Sequence, residues 1–367
     1  MNVPFSYLKR QFAHVDAYLA DLRELVTSGA LTLGGAVTEF EKAFAALHRT
    51  PHAIGVGSGT DALVVALRVL GIRPGDEVIT CTNTFVATVS AIVHAGGRPV
   101  LVDSENGYVL DVDQVEAAIT PRTRAIVAVH YTGNLADMPR LRGLADRHGL
   151  KLVEDACQAT LGMLDGRYVG SWGDATAFSL HPLKNLNVWG DGGLILTHSD
   201  ELAARIRRYC NHGLADRDTC EEFGINSRLD AVQAVVGSRL MKDLPAKSGQ
   251  QVANAARYDE AFGALPEWIE VPVRRPGVRH VFHLYIIRVK RRDALLAHLR
   301  QHGVGAKVHY PLPVHLQPAA MALGYGEGRF PMAEAHGRVA ITLPVHPYLT
   351  DDEVAYTIDQ VRRFYGA

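Results

Sequence analysis

Cysteine is scarce: four in 367 residues, Cys81, Cys157, Cys210 and Cys220, with no CxxC pair among them. That pattern excludes a disulfide framework and a cysteine-ligated zinc site and suits reduced thiols. A chain this long needs neither staple, since folding removes about three quarters of its unfolded surface from water. No apolar run approaches the ~18 residues that a membrane-spanning helix requires. Met1-Asn2-Val3-Pro4-Phe5 carries no basic region followed by an apolar stretch, so no signal peptide is expected and a cytoplasmic location is. Neither sign of charge dominates, with 38 basic against 39 acidic residues. This balance provides no field for gripping nucleic acid or an anionic membrane, so an anionic ligand needs donors gathered in motifs. Repeats, low-complexity tracts and linkers are also missing.

What remains is a long alternation of short apolar strands and helical segments. Apolar residues recur at helical spacing from Tyr7 to Leu25, where Ser28-Gly29 breaks the run, and again from Val37 to Leu47. Strands are expected at Ala53–Val56, Glu77–Thr80, Pro99–Val102, Ala125–Val129, Lys151–Glu154, Thr176–Ser179 and Gly193–Thr197. Helices are expected between them, as at Asp61–Leu70 and Thr84–Ala95. Short β-branched runs separated by helices predict an α/β protein with a mostly parallel seven-stranded sheet covered on both faces. Helices are expected at Asp200–Arg208 and Asp230–Leu244. The rhythm then changes to a strand at Val281–Val289, a helix at Arg292–His302, a strand at Lys307–Tyr310, and helices at Ala333–Ile341 and Asp351–Tyr365. The chain length suggests two domains, and we place the division between a large α/β unit, 1–247, and a smaller α+β unit, 248–367.

Three segments carry candidate chemistry. Gly55-Val56-Gly57-Ser58-Gly59-Thr60-Asp61 follows a strand and opens a helix, where close backbone approach and free N–H groups favour an anion. The same residues also make an ordinary tight turn capped by Ser58, Thr60 or Asp61. No Gly-Lys-Ser/Thr follows, so the turn is not a P-loop. Thr60 stands where a dinucleotide fingerprint needs its last glycine. Glu154-Asp155 ends a strand, the edge where open α/β sheets bind ligands, although either acid can instead cap a helix. Lys184 lies in an apolar loop, Leu180-His181-Pro182-Leu183-Lys184-Asn185-Leu186, ahead of Gly190-Asp191-Gly192-Gly193. Burial would keep such an amine neutral and nucleophilic; a lysine snorkelling to solvent is the alternative. Together the segments supply an anion cradle, an acid and an activated lysine, the parts that pyridoxal phosphate (PLP) chemistry needs.

On these motifs the sequence resembles the DegT-type sugar aminotransferases of PLP fold type I. The resemblance spans essentially the whole chain. It runs through Gly59-Thr60-Asp61-Ala62-Leu63, Thr84-Phe85-Val86-Ala87-Thr88, Glu154-Asp155-Ala156-Cys157-Gln158-Ala159 and Lys184-Asn185-Leu186. Gly224-Ile225-Asn226-Ser227-Arg228-Leu229-Asp230, His309-Tyr310-Pro311 and Leu343-Pro344-Val345-His346-Pro347 continue it. The resemblance implies that Gly59, Thr60 and Ser179 hold the cofactor phosphate and that Phe85 stacks on the pyridine ring. Asp155 would pair with the ring nitrogen, Gln158 would contact the ring hydroxyl, and Lys184 would be the Schiff-base lysine and proton carrier. Asn226 would reach the phosphate in a neighbouring subunit, making a homodimer with composite sites. His309, Tyr310 and His181 would lie near the sugar. Trp189 and the stretch His130-Tyr131-Thr132-Gly133-Asn134 depart from the family pattern and are candidates for tuning specificity.

The implied reaction turns a keto-sugar, a nucleotide-linked 3-keto-6-deoxyhexose, into an amino-sugar with glutamate as the donor. Gly190-Asp191-Gly192-Gly193 leans towards amination at C3; 4-keto sugars and keto-cyclitols are the alternatives within the family. Related sugar dehydratases carry histidine in place of the lysine, and Lys184 argues against that reading. A nicotinamide-dependent enzyme leaves Lys184 and Asp155 without roles. A DNA-binding regulator lacks its basic patch.

Overall fold

In a computed structural model, which describes residues 1–366, the strands are β1 His52–Val56, β2 Glu77–Cys81, β3 Arg98–Val102, β4 Thr123–Val129, β5 Lys151–Asp155, β6 Met163–Leu164 and β7 Arg167–Tyr168. They continue with β8 Ala175–Ser179, β9 Gly193–Thr197, β10 Ile269–Glu270, β11 Val278–Arg279, β12 Tyr285–Val289 and β13 Ala340–Leu343. Seven of them form one sheet in the order β1-β9-β8-β5-β4-β2-β3. The neighbours from β8 to β3 pair in parallel, and β9 runs antiparallel to both β1 and β8. Every residue of β2, β8 and β9 is buried, as expected for strands with helices on both faces. One apolar core lies on one face, with Phe40, Phe44, Leu152 and Phe178 among its residues. Leu63, Leu67, Ile92 and Val153 belong to a second on the other face.

A third core is built around β12 and β13, where Tyr258, Tyr285, Leu295, Leu299, Ile341 and Val361 pack with Val3. The first residues thus cross to the far end of the chain. Val3 bridges to Val304, its N–H donates to the Gly303 carbonyl at 2.8 Å, and its carbonyl accepts from the Gly305 N–H at 2.9 Å. The helix Asp351–Tyr365 closes the chain behind a capping box in which Thr350 and Glu353 satisfy each other's backbone N–H. No helix among the described residues is long and apolar enough to cross a membrane.

Several boundaries differ from the sequence expectation. The helix expected from Tyr7 to Leu25 is two, Leu8–Gln11 and Asp16–Ser28, because Phe12 turns inward against Tyr18 and Trp189 at 5.7 Å each. Gly29 ends the second helix in the left-handed conformation (φ 71°), which a residue without Cβ adopts freely. Asp230–Leu244 also divides, into Ala231–Met241 and Leu244–Gly263, with Pro245 in the first turn of the second helix. Lys307–Tyr310 is not a strand; Lys307 alone bridges to Thr342. The helix expected to reach Ile341 stops at Val339, and the β-branched run Ala340–Leu343 pairs with β12 instead. The strand expected from Val281 begins only at Tyr285.

Candidate active site

The five strands from β8 to β3 and the edge strand β1 all point their C-terminal ends the same way. Five of those ends, after Val56, Cys81, Val129, Asp155 and Ser179, open on one cavity of about 400 Å3. Gly59, Thr60, Asp155, Gln158, Ser179 and Lys184 all line it. Phe85, His181, His309 and Tyr310 line it as well. Of the cofactor and sugar contacts that the resemblance implies, Asn226 alone lies elsewhere. It is exposed, beside Ser227, whose hydroxyl accepts from the Gly57 N–H at 3.1 Å and donates to Asp61 at 2.8 Å.

At one end of the cavity the helix Gly59–Val69 presents its free N–H groups, capped by Ser58, whose side chain accepts from the Asp61 N–H. A Cβ built on Gly59 would stand 2.6 Å from the Ser179 Cβ and 3.1 Å from the Cys157 Sγ. The turn and the end of β8 are therefore in direct contact, and an anion held there meets both the helix terminus and the Ser179 hydroxyl. Ser179 uses that hydroxyl weakly, accepting from the His181 N–H at 3.3 Å.

Asp155 and Glu154 separate cleanly. Glu154, fully buried, accepts from the N–H groups of Gly170, Trp172 and Gly173 at 3.2, 3.1 and 2.8 Å, from the Thr176 hydroxyl at 3.1 Å, and pairs with His130 at 3.0 Å. Burial pushes its pKa up, but His130 and these amides outweigh that and hold it below the ordinary carboxylate value. Both its oxygens are thus engaged by structural donors, one by four of them and the other by His130. Asp155 accepts only from the Thr88 hydroxyl at 2.7 Å and the Cys157 N–H at 3.2 Å, so lone pairs remain for a donor in the cavity. Thr88, one helical turn after Phe85, is in turn 2.6 Å from the Thr84 hydroxyl.

Lys184 sits on a turn in which its N–H donates to the His181 carbonyl at 2.8 Å. Burial lowers its pKa, while the nearby Cys157 and Asp155 oppose the shift. The amine is thus closer to its neutral, nucleophilic form than a surface lysine. The facing wall is aromatic: Phe85 lies 5.8 Å from Tyr310, and the Tyr131 hydroxyl donates to the His309 carbonyl at 2.9 Å. Burial, with Lys307 nearby, brings the His309 pKa down to about 4, and burial, with Asp155 nearby, raises Tyr310 to about 12. Both side chains are neutral near pH 7.

The sequence did not single out Phe5, Tyr7, Gln251 or His283, which also line the cavity. Phe5, Tyr7 and His283 lack any spacing signal, because they reach the site from distant segments. Thr88 was legible in principle, since a hydroxyl one turn after Phe85 shares its helix face. Trp189 is not part of the cavity wall; it packs on Phe12 and Tyr18. Asn134 serves structure as well, bonding the Leu135 N–H and the Gly107 carbonyl.

Known proteins resemble this arrangement closely. A dTDP-3-amino-3,4,6-trideoxy-alpha-D-glucose transaminase of Streptomyces venezuelae is 43% identical over 99% of this chain and 96% of its own. The crystal structure of S. venezuelae DesV in complex with a ketimine intermediate superposes with a TM-score of 0.97 at 42% identity, covering 100% of this chain and 99% of that one. The structure of NtdA from Bacillus subtilis with bound cofactor PMP does so at 0.92 and 32% identity, over 100% and 86% of the two chains. The sequence pattern of one family matches residues 14–362, and the chain belongs to it: the DegT/DnrJ/EryC1/StrS aminotransferase family.

Proposed function

We propose that this PLP-dependent aminotransferase converts a nucleotide-linked 3-keto-6-deoxyhexose into the 3-amino sugar, with glutamate as donor, in the cytoplasm. The observation that carries the reading is the convergence of Lys184, Asp155 and the Gly59 turn on one cavity. The similarity to a transaminase named for a 3-amino sugar supports the C3 position.

The residues present fit PLP. The cradle at Gly59, Thr60 and Ser179 suits its phosphate, Asp155 has acceptor capacity left for a ring N–H, and Lys184 supplies an amine of lowered pKa. When bound, the cofactor supplies an electron sink for the carbon that loses a proton. Asp155, fixed by Thr88 and the Cys157 N–H, would hold a proton on the ring nitrogen. Phe85, on the cavity wall beside Tyr310, would stack on the pyridine ring. Gln158, whose side-chain carbonyl is held by the Thr132 N–H at 2.8 Å, would offer its remaining amide to the ring hydroxyl. Lys184 Nζ takes the proton from the donor carbon and returns one to the sugar carbon. His309, Tyr310 and His181 orient the sugar.

The exposed place of Asn226, tied through Ser227 to the outside of the glycine turn, supports its service to a partner subunit's site in a two-fold dimer. The separate apolar core around β12 and β13 supports reading 1–247 as the cofactor-holding unit and 248–367 as the smaller one, with Val3 crossing between them.

The test incubates the protein with PLP, glutamate and nucleotide-linked 3-keto or 4-keto hexose, following 2-oxoglutarate and the amino-sugar by mass spectrometry. The 3-keto substrate should be aminated by the natural enzyme and left unchanged by Lys184→Ala. Steady-state turnover by Lys184→Ala would overturn the lysine assignment. Amination of the 4-keto sugar alone would overturn the C3 reading.

A further inference from the structure

The residues before the first helix form a strap whose two ends hold different parts of the molecule. At its start Val3 pairs with Gly303 and Gly305, and the Pro4 carbonyl lies 3.0 Å from His346 Nε2. Phe5 stacks on His309 at 5.6 Å between ring centroids. Just beyond the strap Arg10 grips Glu353 with both terminal guanidinium nitrogens, at 2.7 and 2.6 Å. Tyr7 stands between these anchors. Its ring lies 5.6 Å from Tyr348, nearly parallel, and 5.3 Å from His346. Its hydroxyl donates to the backbone carbonyl of Lys184 at 2.9 Å.

That hydrogen bond joins two others on the same turn. The Lys184 N–H donates to His181, and the Asn187 side-chain amide reaches both the Lys184 carbonyl at 3.3 Å and the Tyr7 hydroxyl at 3.4 Å. The peptide groups on either side of the Lys184 Cα are therefore fixed, one by its own loop and one by the strap. A lysine side chain has four rotatable bonds, so its amine is placed only as well as its Cα is held.

We infer that Tyr7 is a positioning residue for the reaction: its hydroxyl fixes the Lys184 backbone and so sets where the lysine amine stands in the cavity. The inference rests on Lys184 being the lysine that carries the cofactor. Burial pushes the Tyr7 hydroxyl far above its ordinary pKa, so the group stays a donor throughout the working range.

The test uses the holoenzyme with three substitutions. Tyr7→Phe keeps the ring stack and removes only the hydroxyl. Arg10→Gln loosens the strap without touching the Lys184 turn. Lys184→Ala checks the underlying assignment. For Tyr7→Phe, kcat should fall about tenfold with both KM values near normal, the scale of one neutral hydrogen bond. The pH midpoint of the visible cofactor band should move by about half a unit, since the amine that carries the band has lost its fixed place. Arg10→Gln should lower Tm and leave kcat and the midpoint near those of the natural enzyme.

A Tyr7→Phe enzyme with unchanged kcat and midpoint overturns the inference, whatever its Tm. So does an Arg10→Gln enzyme that moves the midpoint as far as Tyr7→Phe, because the cause is then general loosening. If the lysine-dependent visible band persists in Lys184→Ala, the assignment of the lysine itself falls first. If it is lost there and unaltered in Tyr7→Phe, the inference alone fails.

Discussion

Gly59→Ala puts the anion cradle to a direct test. The added Cβ would stand 2.6 Å from the Ser179 Cβ, 3.1 Å from the Ser179 Cα and 3.1 Å from the Cys157 Sγ. Carbons in contact prefer about 3.5–4.0 Å, so roughly 1 Å must be found. Ser179 cannot supply it, because β8 is hydrogen-bonded between β5 and β9. The helix Gly59–Val69 must move away at its N-terminus, the end proposed to hold the cofactor phosphate. Overpacking of this kind costs about 1–3 kcal/mol. Taken wholly from cofactor binding, that is about tenfold to a hundredfold weaker PLP affinity. Gly57→Ala is the control: its Cβ would meet the Asp61 Oδ2 at 2.8 Å, the far end of a flexible side chain that can move aside at the cost of its bond from the Ser227 hydroxyl. Equilibrium dialysis against graded PLP, with Tm measured on the same samples, reads both effects. PLP affinity and Tm near normal for Gly59→Ala, or a larger loss for Gly57→Ala, would refute the cradle.

Asp155→Asn should leave a folded protein with turnover reduced on the order of a hundredfold or more, the usual effect of removing one preorganised charge. Glu154→Gln should instead lower Tm. Because Glu154 is held below the ordinary carboxylate value, its stabilisation is present above that value and is lost as pH falls through the folded pKa. Acid unfolding followed by circular dichroism should therefore be steeper in the natural protein than in Glu154→Gln. Equal loss of turnover in the two variants, with Tm untouched, would reverse the roles. Mixing Lys184→Ala with Asn226→Ala chains should, after subunit exchange, raise activity towards half of normal in the mixed dimer, since one site receives both defects and the other neither. No rise despite verified exchange would rule out a shared site, provided that Asn226→Ala alone impairs turnover.

Much of the large sheet was legible because its strands are short apolar runs between helices, a pattern set by burial on both faces. The cradle, the acid and the lysine were legible because each sits on a strand end or its following turn. The choice of Asp155 over Glu154 came only from the resemblance; two adjacent acids on a strand point to opposite faces, and the loop amides that consume Glu154 come from Gly170 to Gly173. Lys307–Tyr310 read as a strand from its local composition, yet its neighbour Thr342 leaves room for a single bridge. Tyr7 and His283 were invisible because their place depends on chain crossings far beyond any local period.

The order of the sheet also bears on how the site is made. β1 pairs with β9 alone, so the strand leading into the glycine turn finds no partner until a strand some 140 residues later has folded. The intervening strands, β2 to β5 and β8, form a contiguous parallel platform on their own. Pairings of such sequence separation close late, because loop entropy is spent before any bond is gained. The expected order of folding sets Asp155 on its platform before the turn at Ser58 and Gly59 is locked beside Ser179. Cofactor capture then acts as a gauge of completion: a chain arrested at the platform stage would carry the acid and Ser179, yet lack the helix terminus at Gly59 and Thr60 that completes the phosphate cradle.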